Sequence, residues 1–157
     1  MSTEAGLRQP GQVRWDPVVL ELEGFRIEAT PRPSWFDRWF ECRISVVARP
    51  FAGVLETIFT DEDFVELADQ LGRLDPGGDA MLGGDRAAEL RFVVEVQQGG
   101  NPDGDLLAVE CTLTPSGDDP YPLLRFLIFK VPPLALARAA ERLRTLAALD
   151  PWPKPER

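Results

Sequence analysis

The sequence predicts an α+β protein, a curved antiparallel sheet of about six or seven strands with two amphipathic helices packed on one face. Three observations carry that expectation. Apolar and polar residues alternate over several short stretches, which marks half-buried strands. Two longer stretches repeat their apolar residues at helical spacing behind helix-entry residues. Short loops rich in Gly, Pro and Asp join consecutive strands, and such loops pair neighbours antiparallel.

The first strand starts at Val18, with Val18, Leu20 and Leu22 on one face and Val19, Glu21 and Glu23 on the other. At Gly24 the phase slips by one and Phe25, Ile27 and Ala29 continue the apolar row, which reads as a β-bulge or a bend. From Trp39 the alternation is cleaner: Phe40, Cys42, Ile44, Val46 and Ala48 oppose Glu41, Arg43 and Ser45. Arg49-Pro50 separates this strand from the next, over residues 54–59. Thr60-Asp61-Glu62-Asp63 then predicts an N-cap followed by acids, which complement the positive end of a helix dipole. Phe64, Leu67, Ala68, Leu71 and Leu74 form the stripe of that helix, and Gly72 or the turn at Asp75-Pro76-Gly77-Gly78 ends it.

Two further strands set Leu90, Phe92, Val94 and Val96 against Arg91, Glu95 and Gln97, then Leu107, Val109, Cys111 and Leu113 against Glu110 and Thr112. Residues 123–131 are apolar on both sides apart from Arg125 and Lys130, so they read as a central strand covered on both faces. Pro132-Pro133 opens the second helix, whose stripe is Leu136, Ala140, Leu143, Leu146 and Ala147, and Leu149-Asp150-Pro151 stops it. Residues 1–16 read as a flexible N-terminal segment, 17–150 as a single domain and 151–157 as a proline-rich tail, and no internal repeat stands out.

Composition narrows the function. The 157 residues suffice for one domain with its own core. The 26 acidic residues outnumber the 17 basic ones, for a net charge of −9. That argues against nucleic acid as a partner, since phosphate contacts need clustered Lys and Arg. Histidine is absent, which removes His-based triads, His metal sites and His proton shuttles. GxSxG, CxxC and GxxxxGK[ST] motifs are missing. No apolar run approaches the ~18 residues of a membrane span. The polar start MSTEAGLRQPGQ lacks the apolar core of an export signal. The expectation is a cytoplasmic chain with no membrane partner, in which Cys42 and Cys111 are reduced and buried.

Four groups of residues are candidates for function. Glu41, Arg43, Arg91, Glu95, Glu110 and Arg125, with Glu21, Glu23, Glu28 and Arg26, would project from the exposed face of the sheet. Two neighbouring carboxylates there could share acid and base roles on a sugar, although cross-strand Glu/Arg pairing is the commoner use of such a face. The acidic loops Asp75–Asp79, Gly83–Asp85 and Asn101–Asp105 suggest calcium ligands, but the closing glutamate of such a loop is absent. Turn geometry explains them, and neither metal nor cofactor is expected. Trp35 and Trp39 are either a lid on the core or an interface anchor. The acids Asp61, Glu62, Asp63, Glu66 and Asp69 give the first helix a face that is either solvated or steers a basic partner.

The strand RWFECRISV, the helix entry TDEDFVELADQL and the closing helix LALARAAERLRTL follow one another within residues 18–149. In that order they resemble small bacterial immunity-type proteins of the wall-associated polymorphic toxin systems and their uncharacterised actinobacterial relatives. The resemblance implies a protein that binds a cognate toxin, and it assigns no site residue. Three functions are open at this point. The first is a non-enzymatic protein-binding domain, an immunity protein neutralising a basic toxin domain. The second is a small-molecule-binding or hydrolytic domain using the sheet-face glutamates. The third is a homo-oligomeric structural protein, a homodimer that buries a sheet edge or the patch around Trp35 and Trp39.

Overall fold

The computed structural model describes residues 17–32, 38–83, 88–96, 106–115 and 124–148. In chain order these form β1 (Val18–Leu22), β2 (Phe25–Arg32), β3 (Trp39–Ala48), β4 (Phe51–Thr60) and α1 (Asp61–Gly72). Then come β5 (Asp79–Gly83), β6 (Glu89–Val96), β7 (Leu107–Thr114), β8 (Leu124–Val131) and α2 (Pro133–Ala147). Four strands and a helix thus occur twice over.

The phase slip at Gly24 is a tight hairpin rather than a bulge, because Leu22 pairs directly with Phe25. Gly24 has φ 73°, and a Cβ there would stand 2.5 Å from the Val47 carbonyl oxygen, so the turn requires glycine. From β2 through β4 the register is unbroken, from Arg32↔Trp39↔Thr60 at one end to Phe25↔Val46↔Gly53 towards the other. β3 and β4 join at Arg49-Pro50.

The α+β class and the antiparallel pairing hold. The single sheet of six or seven strands does not: the described residues form two four-stranded sheets, β1-β2-β3-β4 and β5-β6-β7-β8. Period-two alternation reports that one face of a strand is buried, and a helix or a second sheet can bury it equally well. Here both do. Phe25 of β2 meets Phe92 of β6 edge-on at 5.9 Å and Phe126 of β8 at 5.6 Å, so the inner faces of the sheets share a core. Phe64 of α1 enters the same core, 4.8 Å from Phe40 and 6.2 Å from Phe59.

Each helix also reaches a strand of the opposite sheet. α1 follows β4 but lies along β5, α2 follows β8 but lies along β1, and the helices pack on each other. α1 begins as its sequence predicts. Thr60 Oγ1 accepts from the Asp63 N–H at 3.2 Å, and Asp63 Oδ2 accepts from the Thr60 N–H at 2.8 Å, a complete capping box. The predicted stripes are buried, Phe64, Leu67, Ala68 and Leu71 in α1 and Leu136, Ala140, Leu143, Leu146 and Ala147 in α2, except that the helix ends at Gly72 and leaves Leu74 half-buried beyond it.

The expectation for residues 123–131 is overturned. β8 is an edge strand, with Leu124, Leu127 and Phe129 exposed, because among the described residues nothing pairs beyond it. Apolar side chains on both faces are as compatible with an uncovered edge as with a doubly covered centre. Among the described residues no helix is long and apolar enough to cross a membrane.

Candidate functional site

Two sheets instead of one divide the sheet-face candidates. Glu41 and Arg43 stand on the outer face of the first sheet, and Arg91, Glu95, Glu110 and Arg125 on that of the second. On the second sheet the charges are largely satisfied by each other. Arg125 holds Glu110 with two hydrogen bonds, Nε to Oε1 at 2.8 Å and Nη2 to Oε2 at 2.7 Å. Those bonds from Arg125 hold the Glu110 carboxyl below its ordinary range and raise the guanidinium in turn. Arg91 donates from Nε and Nη2 to Asp79 Oδ2 at 3.1 and 2.8 Å. This face is a set of cross-strand ion pairs open to water, the commoner of the two uses expected for it.

The first sheet differs. Its outer face bounds an open groove of about 870 Å³, lined among others by Glu28 and Thr30 from β2, Glu41 and Arg43 from β3, and Glu56 and Ile58 from β4. The register sets Glu28, Arg43 and Glu56 side by side in one row across three strands. At the flanks Arg32 Nε lies 3.5 Å from Glu41 and Arg26 Nη2 lies 3.4 Å from Glu28. Three carboxylates and one guanidinium therefore line a preformed surface on rigid strands. Glu56 is the member that the alternation alone did not single out. Its signal was present, as the one charge in the run from Phe51 to Phe59.

The acids of α1 are partly spent inside the fold. Asp63 closes the capping box, Asp61 Oδ2 lies 3.4 Å from Arg38 Nε, and Asp69 Oδ1 accepts from Arg144 Nη2 of α2 at 3.1 Å. Glu62 and Glu66 remain on the exposed surface of the helix. Trp39 opens β3 and is 36% exposed, between Arg32 and Thr60. Trp35 lies outside the described residues, as do the terminal segments and the loop at 101–105.

The acidic turn at 75–79 serves the backbone: the Gly77 N–H donates to the Val94 carbonyl at 2.7 Å, and the Val94 N–H donates to the Gly78 carbonyl at 3.1 Å. Among the described residues no cluster of three or more Cys, Asp or Glu could hold a metal ion.

Cys42 and Cys111 occupy matching places, in the third strand of each sheet and behind a glutamate, with their side chains turned inward. Burial pushes both thiols up to about 12, and the charge of Asp63 adds to the effect at Cys42. Neither is a nucleophile at neutral pH.

A second hollow, of about 320 Å³, opens between the ends of the two sheets. It is lined by Ile44, Val46, Gly53, Val54 and Leu55 of the first sheet and by Leu113, Pro115 and Leu124 around the second. The two hollows flank adjacent stretches of β4, the carboxylate groove on its outer face and the apolar cleft on its inner face. Comparison with protein-family models, with curated proteins and with solved structures finds no match to this chain.

Proposed function

We propose that this chain is a non-enzymatic protein-binding domain that neutralises a basic toxin domain, as its resemblance to immunity-type proteins implies. The observation that carries the reading is the groove on the first sheet, where Glu28, Glu41 and Glu56 surround Arg43 on three adjacent strands. Such a surface is preorganised, so a partner pays little to order it. With a net charge of −9 behind it, it attracts basic partners over a long range. The groove also lacks an activated nucleophile. Its thiol, Cys42, stays protonated, and the hydroxyl of Thr57 is turned to the Ala88 N–H, which donates to it at 3.4 Å.

The test is complex formation with a basic toxin domain, the first candidate being any that is encoded beside the gene. A one-to-one complex is expected, with an association rate that falls about tenfold or more between ~0.05 and ~0.5 M salt. Replacing Glu28, Glu41 and Glu56 together by Gln should slow association and flatten that salt dependence. No complex, or a rate indifferent to salt, would sink the proposal.

A further inference from the structure

We infer that the edge of β4, which pairs with nothing but β3 among the described residues, takes up an extended peptide segment of alternating basic and apolar residues as an added strand. The inference rests on the reading of the partner as a basic protein and names the part of it that docks.

Exposed edges are normally kept short or guarded by lysine, proline or a bulge, because their unpaired backbone groups recruit other strands. β4 has ten residues and no such guard. Its register with β3 is continuous from Thr60 to Phe51, and all of Phe51–Glu56 is exposed or half-exposed. Phe51 is 77% and Val54 55% exposed. Among the described residues β1, β5 and β8 are edge strands too: helices run along β1 and β5, and β8 is guarded. Its pairing with β7 shifts register near Lys130, which sits at φ 56°.

Alternate side chains of an added strand fall on opposite faces of the sheet. On the inner face they would enter the apolar cleft, where Gly53 leaves room: a Cβ built there meets none of the described residues within 4 Å. On the outer face they would pass over Glu56 towards Glu28 and Glu41. The edge thus separates an apolar hollow from a charged one, in which Glu56 is the carboxylate on the edge strand itself, at the spacing of a single strand. A second copy of β4 fits this less well, since it brings its own Glu56 and the same carboxylates to the junction.

The experiment uses the full chain and two synthetic peptides of about eight residues, the length of an ordinary strand. One alternates lysine and valine, and the other has the same composition in two blocks. The alternating peptide should bind saturably by fluorescence anisotropy, about tenfold tighter than the block peptide. Gly53→Leu fills the cleft and should weaken that binding about tenfold with the melting temperature held. Glu56→Lys should weaken it similarly and flatten its salt dependence. Should either variant melt early, the peptide pair on the unsubstituted chain still decides.

Equal affinity for the two peptides, or binding indifferent to both substitutions, overturns the inference. So does a dimer in sedimentation velocity that Gly53→Leu dissolves, since the edge would then belong to a second copy. A toxin domain neutralised by a protein whose edge ignores the alternating peptide sinks the edge alone. Uptake of the peptide without binding of the toxin domain sinks the immunity reading alone.

Discussion

The two cysteines show how a single buried group makes stability depend on pH. Each thiol has an ordinary value of 9.0 and is pushed up to about 12 in the folded chain, chiefly by burial. A raised value means that the folded state holds its proton more tightly than the unfolded state does. The resulting stability is complete below about pH 9 and is lost as the pH climbs towards 12. The slope is up to about 1.4 kcal/mol per pH unit for each thiol. Few other groups confuse the measurement, because Lys130 and Lys154 are the chain's lysines and Tyr121 its one tyrosine. Urea midpoints at pH 8 and 10 should therefore fall steeply in the unsubstituted protein. In the Cys42→Ala, Cys111→Ala protein they should fall much less, and equal slopes would refute the assignment. That both thiols are inside was legible from their places in alternating strands. The cost of ionising them was not, since it depends on the second sheet that completes their burial.

Elements whose ends carry their own chemistry were the easiest to read. α1 starts at Asp61 because Thr60 and Asp63 satisfy backbone and side-chain donors at the helix entry, an arrangement of four consecutive residues. Thr60→Ala removes the hydroxyl from that box and should cost about 1 kcal/mol in a denaturant melt. Thr60→Ser keeps an acceptor in the same place and should recover most of the loss; if Ser and Ala cost the same, the hydroxyl is not what starts the helix. Elements defined by distant neighbours were harder. β5 was missed because Asp79–Gly83 offers only Ala80 and Leu82 as inward residues, and its glycine surroundings read as turn. Gly83 belongs to that strand for a tertiary reason. At φ 78°, a Cβ on it would stand 2.7 Å from the ring of Phe59, in the other sheet. β8 was misplaced for the converse reason, since its local pattern cannot say whether a neighbouring strand exists. The same limit hid half of the candidate site, because Glu28, Arg43 and Glu56 become one row only through strand pairing.

Across the whole molecule, the repetition of four strands and a helix explains why one core forms rather than two. The sequence does carry a trace of it, in Phe40-Glu41-Cys42-Arg43-Ile44 and Val109-Glu110-Cys111-Thr112-Leu113, an apolar-Glu-Cys-polar-apolar phrase placed in the third strand of each sheet. Five residues are too few to stand out in a scan for repeats, so architecture rather than sequence exposes the relation. The exchange of helices then has a thermodynamic consequence. Cutting the chain between α1 and β5 gives one fragment whose α1 has lost β5 and α2, and another whose α2 has lost β1 and α1. Each would expose an apolar inner face, Phe25 and Ile27 in the first and Phe92 and Cys111 in the second, that is buried in the intact protein. Domains this small have little stability to spare against losses of several kcal/mol. Each fragment alone should therefore lack cooperative unfolding by circular dichroism, and mixing them should restore a single transition. The intact chain should likewise melt in one step, by far-ultraviolet dichroism and by tryptophan fluorescence alike. Separate sharp transitions from the isolated fragments would instead make each half its own domain. The groove on the first sheet would then owe nothing to the second, whereas with a shared core the geometry of β4 depends on both halves being present.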